Sequence, residues 1–130
     1  MLASKHLDMV LGLDIHLVNI PPAIGVPLPH PFIGIVFDPF YYLPFIGATV
    51  NVNNMKRANA GSSVMLATKF HIPFGAGFTM APMIAHDGVM FFGSQTVKAE
   101  GSNMSVASFQ LMTCSCVGIP LSISFGKKPK

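Results

Sequence analysis

Proline and glycine constrain the fold of this chain more than any other feature of its sequence. The 130 residues include 11 prolines and 12 glycines, spread so evenly that few windows of helical length are free of them. Within those windows the apolar residues rarely repeat with the 3.6-residue period of a helix. The sequence therefore predicts an all-β protein built from short strands and turns.

Two similar segments predict two β-hairpins. A run of alternating polar and β-branched residues ends in the pair Asn53-Asn54, which suits a tight turn, and its partner strand is expected at residues 56–60. The same scheme returns at residues 93–101, with Gly101 at the turn. Recurrence with a period in the forties indicates a quasi-repeated β architecture whose units stack to bury their apolar faces.

Length and charge narrow the class of protein. The chain fits one domain, residues 1–130, in which residues 1–13 are expected as a flexible arm or short helix and residues 127–130 as a solvated basic tail. The formal net charge of +3 comes from scattered Lys and Arg, which argues against nucleic-acid binding. Only 10% of the residues are charged and 51% are hydrophobic, so a partner is expected to cover part of the surface.

Export signals and membrane anchors are not expected. Lys5, His6 and Asp8 interrupt the first ten residues, where a signal peptide would be apolar. Two uncharged stretches, residues 15–37 and 101–125, are long enough to span a bilayer, but the first holds five prolines and the second many polar residues. The sequence thus predicts a protein that stays in the cytoplasm before any export.

Five histidines and two cysteines in a weakly charged chain point to zinc, because imidazole and thiolate suit its tetrahedral coordination. No zinc-finger spacing is present, and motif matching alone favours ordinary buried or exposed histidines. Four residues nevertheless lie in proline-restricted turns that could converge on one ion: His16, His30, His71 and Cys114. Three imidazoles and one thiolate make a closed shell, which is typical of structural rather than catalytic zinc.

The other candidate residues have simpler interpretations. Cys116 is expected as a small buried residue, His6 as a solvent-exposed side chain and His86 as a turn residue. Asp14 either orients the imidazole of His16 or caps a turn.

Catalytic arrangements are missing from the sequence. The five acidic residues are spread along the chain without an evident carboxylate pair, and no serine elbow or phosphate-binding glycine loop is present. A Cys-His hydrolase built on Cys114 lacks the helix N-terminus that would activate its thiol. We therefore expect no catalytic residue and no enzyme. A small zinc-dependent hydrolase or toxin module and a metal-free assembly protein are the alternatives.

Five stretches covering much of the chain resemble the PAAR-like proteins of type VI secretion and related phage-tail-derived systems, including the N-terminal tip domains of Rhs toxins. They are residues 13–22, 26–34, 44–53, 71–75 and 92–97. The chain departs from the family pattern at Asn53-Asn54, where Asn-Gly is common, and at residues 55–58, which replace a Pro-Ala-Ala-Arg-like run.

The resemblance implies a small cone of short strands and hairpins with pseudo-threefold character. Its base would dock on a trimeric VgrG-like spike, one tip per trimer, and its apex would carry one structural zinc ion. The implied ligands are His16, His30, His71 and Cys114, with Cys116 as a competing thiolate. The implied function is structural: the tip sharpens and caps the spike of a bacterial contractile injection system, aids membrane puncture through transient contact, helps attach effectors, and leaves the cell with the spike.

Overall fold

Six antiparallel strands close into a β-barrel in a computed structural model that describes residues 2–66, 87–113, 115 and 118–126. The strand order around the barrel is β1-β10-β9-β6-β5-β2, and β3-β4 and β7-β8 form two separate two-stranded sheets. The strands are β1 (Met9–Ile20), β2 (Ala23–Val36), β3 (Asn51–Val52), β4 (Met55–Lys56), β5 (Ser63–Leu66), β6 (Asp87–Met90), β7 (Lys98–Ala99), β8 (Ser102–Asn103), β9 (Gln110–Met112) and β10 (Ser122–Phe125), with a 3₁₀-helix at Pro39–Tyr42.

The prediction of an all-β fold is confirmed, since the described ranges contain no α-helix. Accordingly, they contain no helix with the length and hydropathy needed to cross a membrane. The prediction of uniformly short strands is wrong, because β1 and β2 extend over 12 and 14 residues.

Alternating burial explains why β2 is long despite its prolines. From His30 to Val36 every second residue is buried, which is the pattern of a strand with one face in a barrel interior. Pro27, Pro29 and Pro31 take the exposed alternate positions, in a part of β2 that pairs only with β1 among the described residues. A missing N–H is tolerated at such an edge. The buried apolar cluster comprises Val10, Phe32, Val36, Ala58, Val64, Met90 and Leu111.

Three backbone segments join in a ring at one end of the barrel. The N–H of Ser4 donates to the carbonyl of Ser105 (2.9 Å), the N–H of Ser105 to the carbonyl of Ala58 (2.9 Å), and the N–H of Ala58 to the carbonyl of Ser4 (3.0 Å). All three residues are fully buried. Each segment therefore stands in the same relation to the next, and the ring has threefold pseudosymmetry.

The turns that follow the ring repeat the same geometry. Three positions beyond the ring residues, Leu7, Gly61 and Ser108 all have positive φ, of 65°, 94° and 73°. Their N–H groups donate, at 2.7–2.9 Å, to the carbonyls of Val36, Met90 and Ser124. The barrel is thus built from three repeats that share backbone conformation more closely than sequence.

Both predicted hairpins are confirmed, with shorter strands than expected. Asn53 and Asn54 have φ of 49° and 62°, and Glu100 and Gly101 have φ of 52° and 80°. Two consecutive residues with positive φ are the signature of the type I′ turn, whose twist matches that of paired strands. The first turn joins β3 to β4 and the second joins β7 to β8, beside the ring segments.

A carboxylate in the second turn connects the two hairpins. Glu100 Oε1 accepts hydrogen bonds from the hydroxyl and the N–H of Thr49, at 2.6 Å and 2.5 Å, and from the N–H of Val50 at 3.1 Å. The guanidinium of Arg57 pairs with the other carboxylate oxygen. The Thr49 hydroxyl, aided by the backbone donors and Arg57, lowers the pKa of Glu100 to about 2.

The N-terminal residues form neither a helix nor an arm over their described part, contrary to both expectations. Ala3 bridges to Val106 and Lys5 bridges to Arg57, and β1 begins at Met9. The basic tail at residues 127–130 lies outside the described residues.

Candidate metal centre

Two of the four predicted zinc ligands lie together inside the barrel. His16 in β1 and His30 in β2 are 1% and 2% exposed, and their ring centroids are 5.3 Å apart with an interplanar angle of 56°. They are diagonal neighbours on paired strands, since His16 lies opposite Leu28 and His30 opposite Asp14. The prediction that both histidines occupy turns is wrong, because the barrel interior holds them in regular strands.

Asp14 adds a buried carboxylate beside the two imidazoles. It is fully buried on the inward face of β1, and the hydroxyl of Thr113 donates a hydrogen bond to its Oδ1 atom. The interpretation of Asp14 as a turn cap is wrong, because the residue lies within a continuous strand. Its role in orienting the imidazole of His16 stays a prediction, and its register partner in β2 is His30.

The sequence neighbours of Cys114 both contact β1 next to this pair. Thr113 bonds to Asp14, and the hydroxyl of Ser115 lies 3.2 Å from the N–H and 3.4 Å from the carbonyl oxygen of Ile15. Cys114 itself lies outside the described residues. The contacts on either side of it involve the strand that carries His16.

Half of the predicted metal site lies outside the described residues. His71 and Cys114 are in this group, as are the competing thiolate Cys116 and the expected turn residue His86. Within residues 2–66, 87–113, 115 and 118–126, no three His, Cys, Asp or Glu side chains are grouped to hold a metal ion. The described part of the chain thus brings together two of the four ligands and leaves the other two untested.

Three of the described strand ends lie towards the histidine pair. β5 runs antiparallel to β2 and ends at Leu66. β6 runs antiparallel to β5 and begins at Asp87, and β9 runs antiparallel to β6 and ends at Met112. All three strand ends point to the half of the barrel that holds the histidines, away from the hydrogen-bonded ring. The sequence positions of His71 and Cys114 follow two of these ends.

The spacing of the two imidazoles fits one tetrahedral zinc ion. A zinc–nitrogen bond of about 2.0–2.1 Å puts the centroids of two ligating rings about 5 Å apart at a tetrahedral angle. The observed separation is 5.3 Å. His16 and His30 are therefore close enough to contribute to one site.

A third histidine, His6, belongs to a different buried cluster that the sequence interpretation missed. The expectation of an exposed side chain is wrong, since His6 is fully buried. Its Nδ1 atom lies 3.1 Å from the hydroxyl of Tyr42, and its ring stacks on Tyr41 with centroids 5.2 Å apart. The adjacent tyrosines Tyr41 and Tyr42 were the available signal, because a phenol hydroxyl can form a hydrogen bond with an imidazole nitrogen. Their distance along the chain from His6 hid the pairing.

His6 is expected to make stability depend on pH. Burial lowers the pKa of His6 below its ordinary 6.5; Asp38 opposes this, while Arg57 and Lys56 add to it. The unfolded chain then binds the proton more readily than the fold, so this contribution is complete above about pH 6.5 and is lost as the pH falls below that value.

Thermal denaturation followed by circular dichroism tests this dependence. Between about pH 7.5 and about pH 5 the unfolding midpoint should fall further in the wild-type protein than in His6→Phe, which cannot titrate. The other histidines are common to both proteins, so the difference isolates His6. Parallel pH profiles would contradict the prediction.

Comparisons with known proteins identify no relative of the chain. No family model matches it, and neither a curated protein nor a solved structure matches it. The buried histidine pair and the hydrogen-bonded ring are therefore the features from which a function is inferred.

Proposed function

We propose that the protein is the structural tip of a bacterial contractile injection system, where it caps and sharpens a trimeric VgrG-like spike. The observation that carries this proposal is the backbone ring of Ser4, Ala58 and Ser105. Through its three repeats, a single chain can offer a similar surface to each subunit of a trimer. A trimer would therefore bind one tip, because a second copy of the chain would need the same surfaces of the same three subunits.

The opposite end of the barrel is the proposed point of a PAAR-like cone, held by one structural zinc ion. His16 and His30 are two of its ligands, and His71 and Cys114 complete the shell. The contacts of Thr113 and Ser115 with β1 support the choice of Cys114, although Cys116 is close in sequence. A narrow point encloses too little apolar volume to be stable by burial alone, and a metal crosslink offsets that shortage.

The proposed role is mechanical and involves no catalysis. The tip is made in the cytoplasm, docks on the spike and leaves the cell with it, touching the target membrane only during puncture. Effectors would travel attached to the spike complex. A zinc-dependent hydrolase would instead need an open coordination position and an acid-base residue.

Exposed apolar residues at the ring end fit a surface that a partner covers. Val50 precedes β3 and Val97 precedes β7, at equivalent positions in the two hairpins, and they are 37% and 51% exposed. The carbonyls of Val50 and Val97 accept equivalent hydrogen bonds from the backbone N–H groups of Arg57 and Met104, at 3.2 Å and 3.0 Å. The two hairpins therefore present similar apolar contacts to neighbouring subunits of a trimer.

Spike binding tests the proposal. The purified chain is expected to form a complex of one chain per trimer with a spike protein encoded in the same genome, measured by size-exclusion chromatography with light scattering. Val97→Glu should weaken this complex at least about tenfold, because it buries an unpaired charge in the interface.

Ile33→Glu is the matched control for Val97→Glu. Ile33 is an exposed apolar residue on the barrel wall, 57% exposed in β2, and its substitution should leave spike affinity unchanged. Equal weakening by the two substitutions, or a complex of three chains per trimer, would overturn the proposed docking surface.

A further inference from the structure

The start of hairpin β3-β4 binds a carboxylate from the neighbouring hairpin. The hydroxyl and the N–H of Thr49, at 2.6 Å and 2.5 Å, and the N–H of Val50, at 3.1 Å, all donate to one carboxylate oxygen of Glu100. Glu100 lies in the turn of β7-β8, and the guanidinium of Arg57 pairs with its other oxygen. Thr49 and Val50 thus form a donor pair that receives the acidic turn of the next hairpin.

The start of hairpin β7-β8 carries the same donor pair. Thr96 and Val97 precede β7 as Thr49 and Val50 precede β3, and all four residues are exposed. Here the acceptor is the hydroxyl of Ser94, which lies 3.3 Å from the N–H of Thr96, 3.2 Å from the N–H of Val97 and 3.3 Å from the Thr96 hydroxyl. Each contact is longer than its counterpart at Glu100, so a weakly held neutral group stands where the other hairpin holds a carboxylate.

Threefold pseudosymmetry indicates where a turn for Thr96 and Val97 would lie. β3-β4 precedes the second ring residue and β7-β8 the third, whereas before Ser4 the structure describes only Leu2 and Ala3. The third hairpin contacts the donor pair of the second. By the same rotation, a hairpin ahead of the first ring residue would bring its turn to the donor pair of the third. Among the described residues no hairpin takes this position.

This sequence holds no acidic side chain for the second donor pair. Its five acidic residues are Asp8, Asp14, Asp38, Asp87 and Glu100. The first three are buried, Asp87 begins β6 in the half of the barrel away from the ring, and Glu100 is held by Thr49. A carboxylate side chain for Thr96 and Val97 would therefore come from outside this sequence.

We propose that Thr96 and Val97 bind an Asp or Glu side chain in the turn of a partner protein's β-hairpin, which takes the position of a third hairpin beside the ring. The bond of Glu100 to the identical donor pair supplies the precedent for this chemistry. One contact differs, because the counterpart of Arg57 is Met104, so the partner's carboxylate is held less tightly than Glu100. Neither zinc nor a spike takes part in this contact, so it can fail while the proposed function holds, and the reverse.

A cyclic peptide with the sequence of residues 95–104 is the probe, because it presents the Glu100 turn in a closed hairpin. Added to the full chain, it should shift the amide NMR signals of Thr96 and Val97 saturably. The Glu100→Gln version of the peptide should bind at least about tenfold more weakly, because a hydrogen bond to a charged acceptor is about twice as strong as a neutral one. Equal binding of the two peptides, or shifts that spare Thr96 and Val97, would overturn the proposal.

Substitutions in the protein test the donor pair itself. Thr96→Val removes the hydroxyl and should weaken the peptide about fivefold, whereas Thr49→Val, the same change in the pair that Glu100 already fills, should not. Met104→Arg supplies the missing cation and should tighten the peptide about tenfold, a gain that its Glu100→Gln version should lose. Equal effects of Thr96→Val and Thr49→Val, no gain from Met104→Arg, or saturation of the same signals by acetate at the peptide's concentrations would refute binding of a partner's turn.

Discussion

Purified protein is expected to contain one zinc ion per chain, and the Cys114→Ser protein almost none. The closed shell proposed for His16, His30, His71 and Cys114 has no spare ligand, so losing one opens it. Because metal binding contributes directly to folding free energy, the variant should lose about 3 kcal/mol or more, or roughly 10 °C in unfolding midpoint. Elemental mass spectrometry and thermal denaturation on the same samples measure both quantities.

Cys116→Ser is the matched control for this experiment. It makes the same change two positions along the chain and is expected to leave zinc content and the unfolding midpoint unchanged. Equal zinc loss at both cysteines would overturn the choice of Cys114. Well-folded wild-type protein without zinc would remove the metal centre altogether, while leaving the ring and the spike experiment untouched.

Leu111→Ala is expected to lower the free energy of unfolding by about 3 kcal/mol, within the usual range of roughly 2–5 kcal/mol for a buried leucine. Leu111 is fully buried, and with Val10 and Val64 it takes equivalent positions, six residues beyond the ring, in the apolar cluster. Truncating Leu111 leaves a cavity between the three repeats, and the strands of a closed barrel cannot readily move inward to fill it. Urea denaturation followed by circular dichroism gives the loss.

Leu121→Ala provides the comparison, since Leu121 is 41% exposed and its truncation opens no cavity. Its expected cost is less than about 1 kcal/mol. If the two leucines gave similar losses, the equivalent layer of Val10, Val64 and Leu111 would not be the packed centre of the barrel.

Local turn chemistry made part of the fold predictable. Asn53-Asn54 and Glu100-Gly101 adopt the left-handed conformations that a type I′ turn requires, and the asparagines and the glycine are recognisable in a sequence as residues that favour them. The prolines of β2 misled the same reasoning. Pro29 and Pro31 led to the prediction of a turn at His30, but the alternation that places both prolines on the exposed face of a strand becomes visible only once the barrel is known.

Long-range contacts explain what the sequence did not predict. Ser4, Ala58 and Ser105 form the ring through backbone atoms, so their side chains carry no common signature. His6 pairs with Tyr42 across a distant stretch of chain, and no local pattern marks it as buried. For the metal centre, the predicted residues His16 and His30 are brought together by strand register, a relation that only the pairing of β1 with β2 reveals.

Barrel closure between β1 and β10 also determines when the fold can form. Met9 lies opposite Phe125 and Gly12 opposite Ser122, so the seam joins the first of the described strands with the last. During synthesis, one edge of β1 stays unpaired until β10 has emerged from the ribosome. Such high contact order slows folding and leaves an exposed strand edge vulnerable to aggregation in the interval. Protection of that edge during synthesis is therefore expected to raise the yield of folded protein.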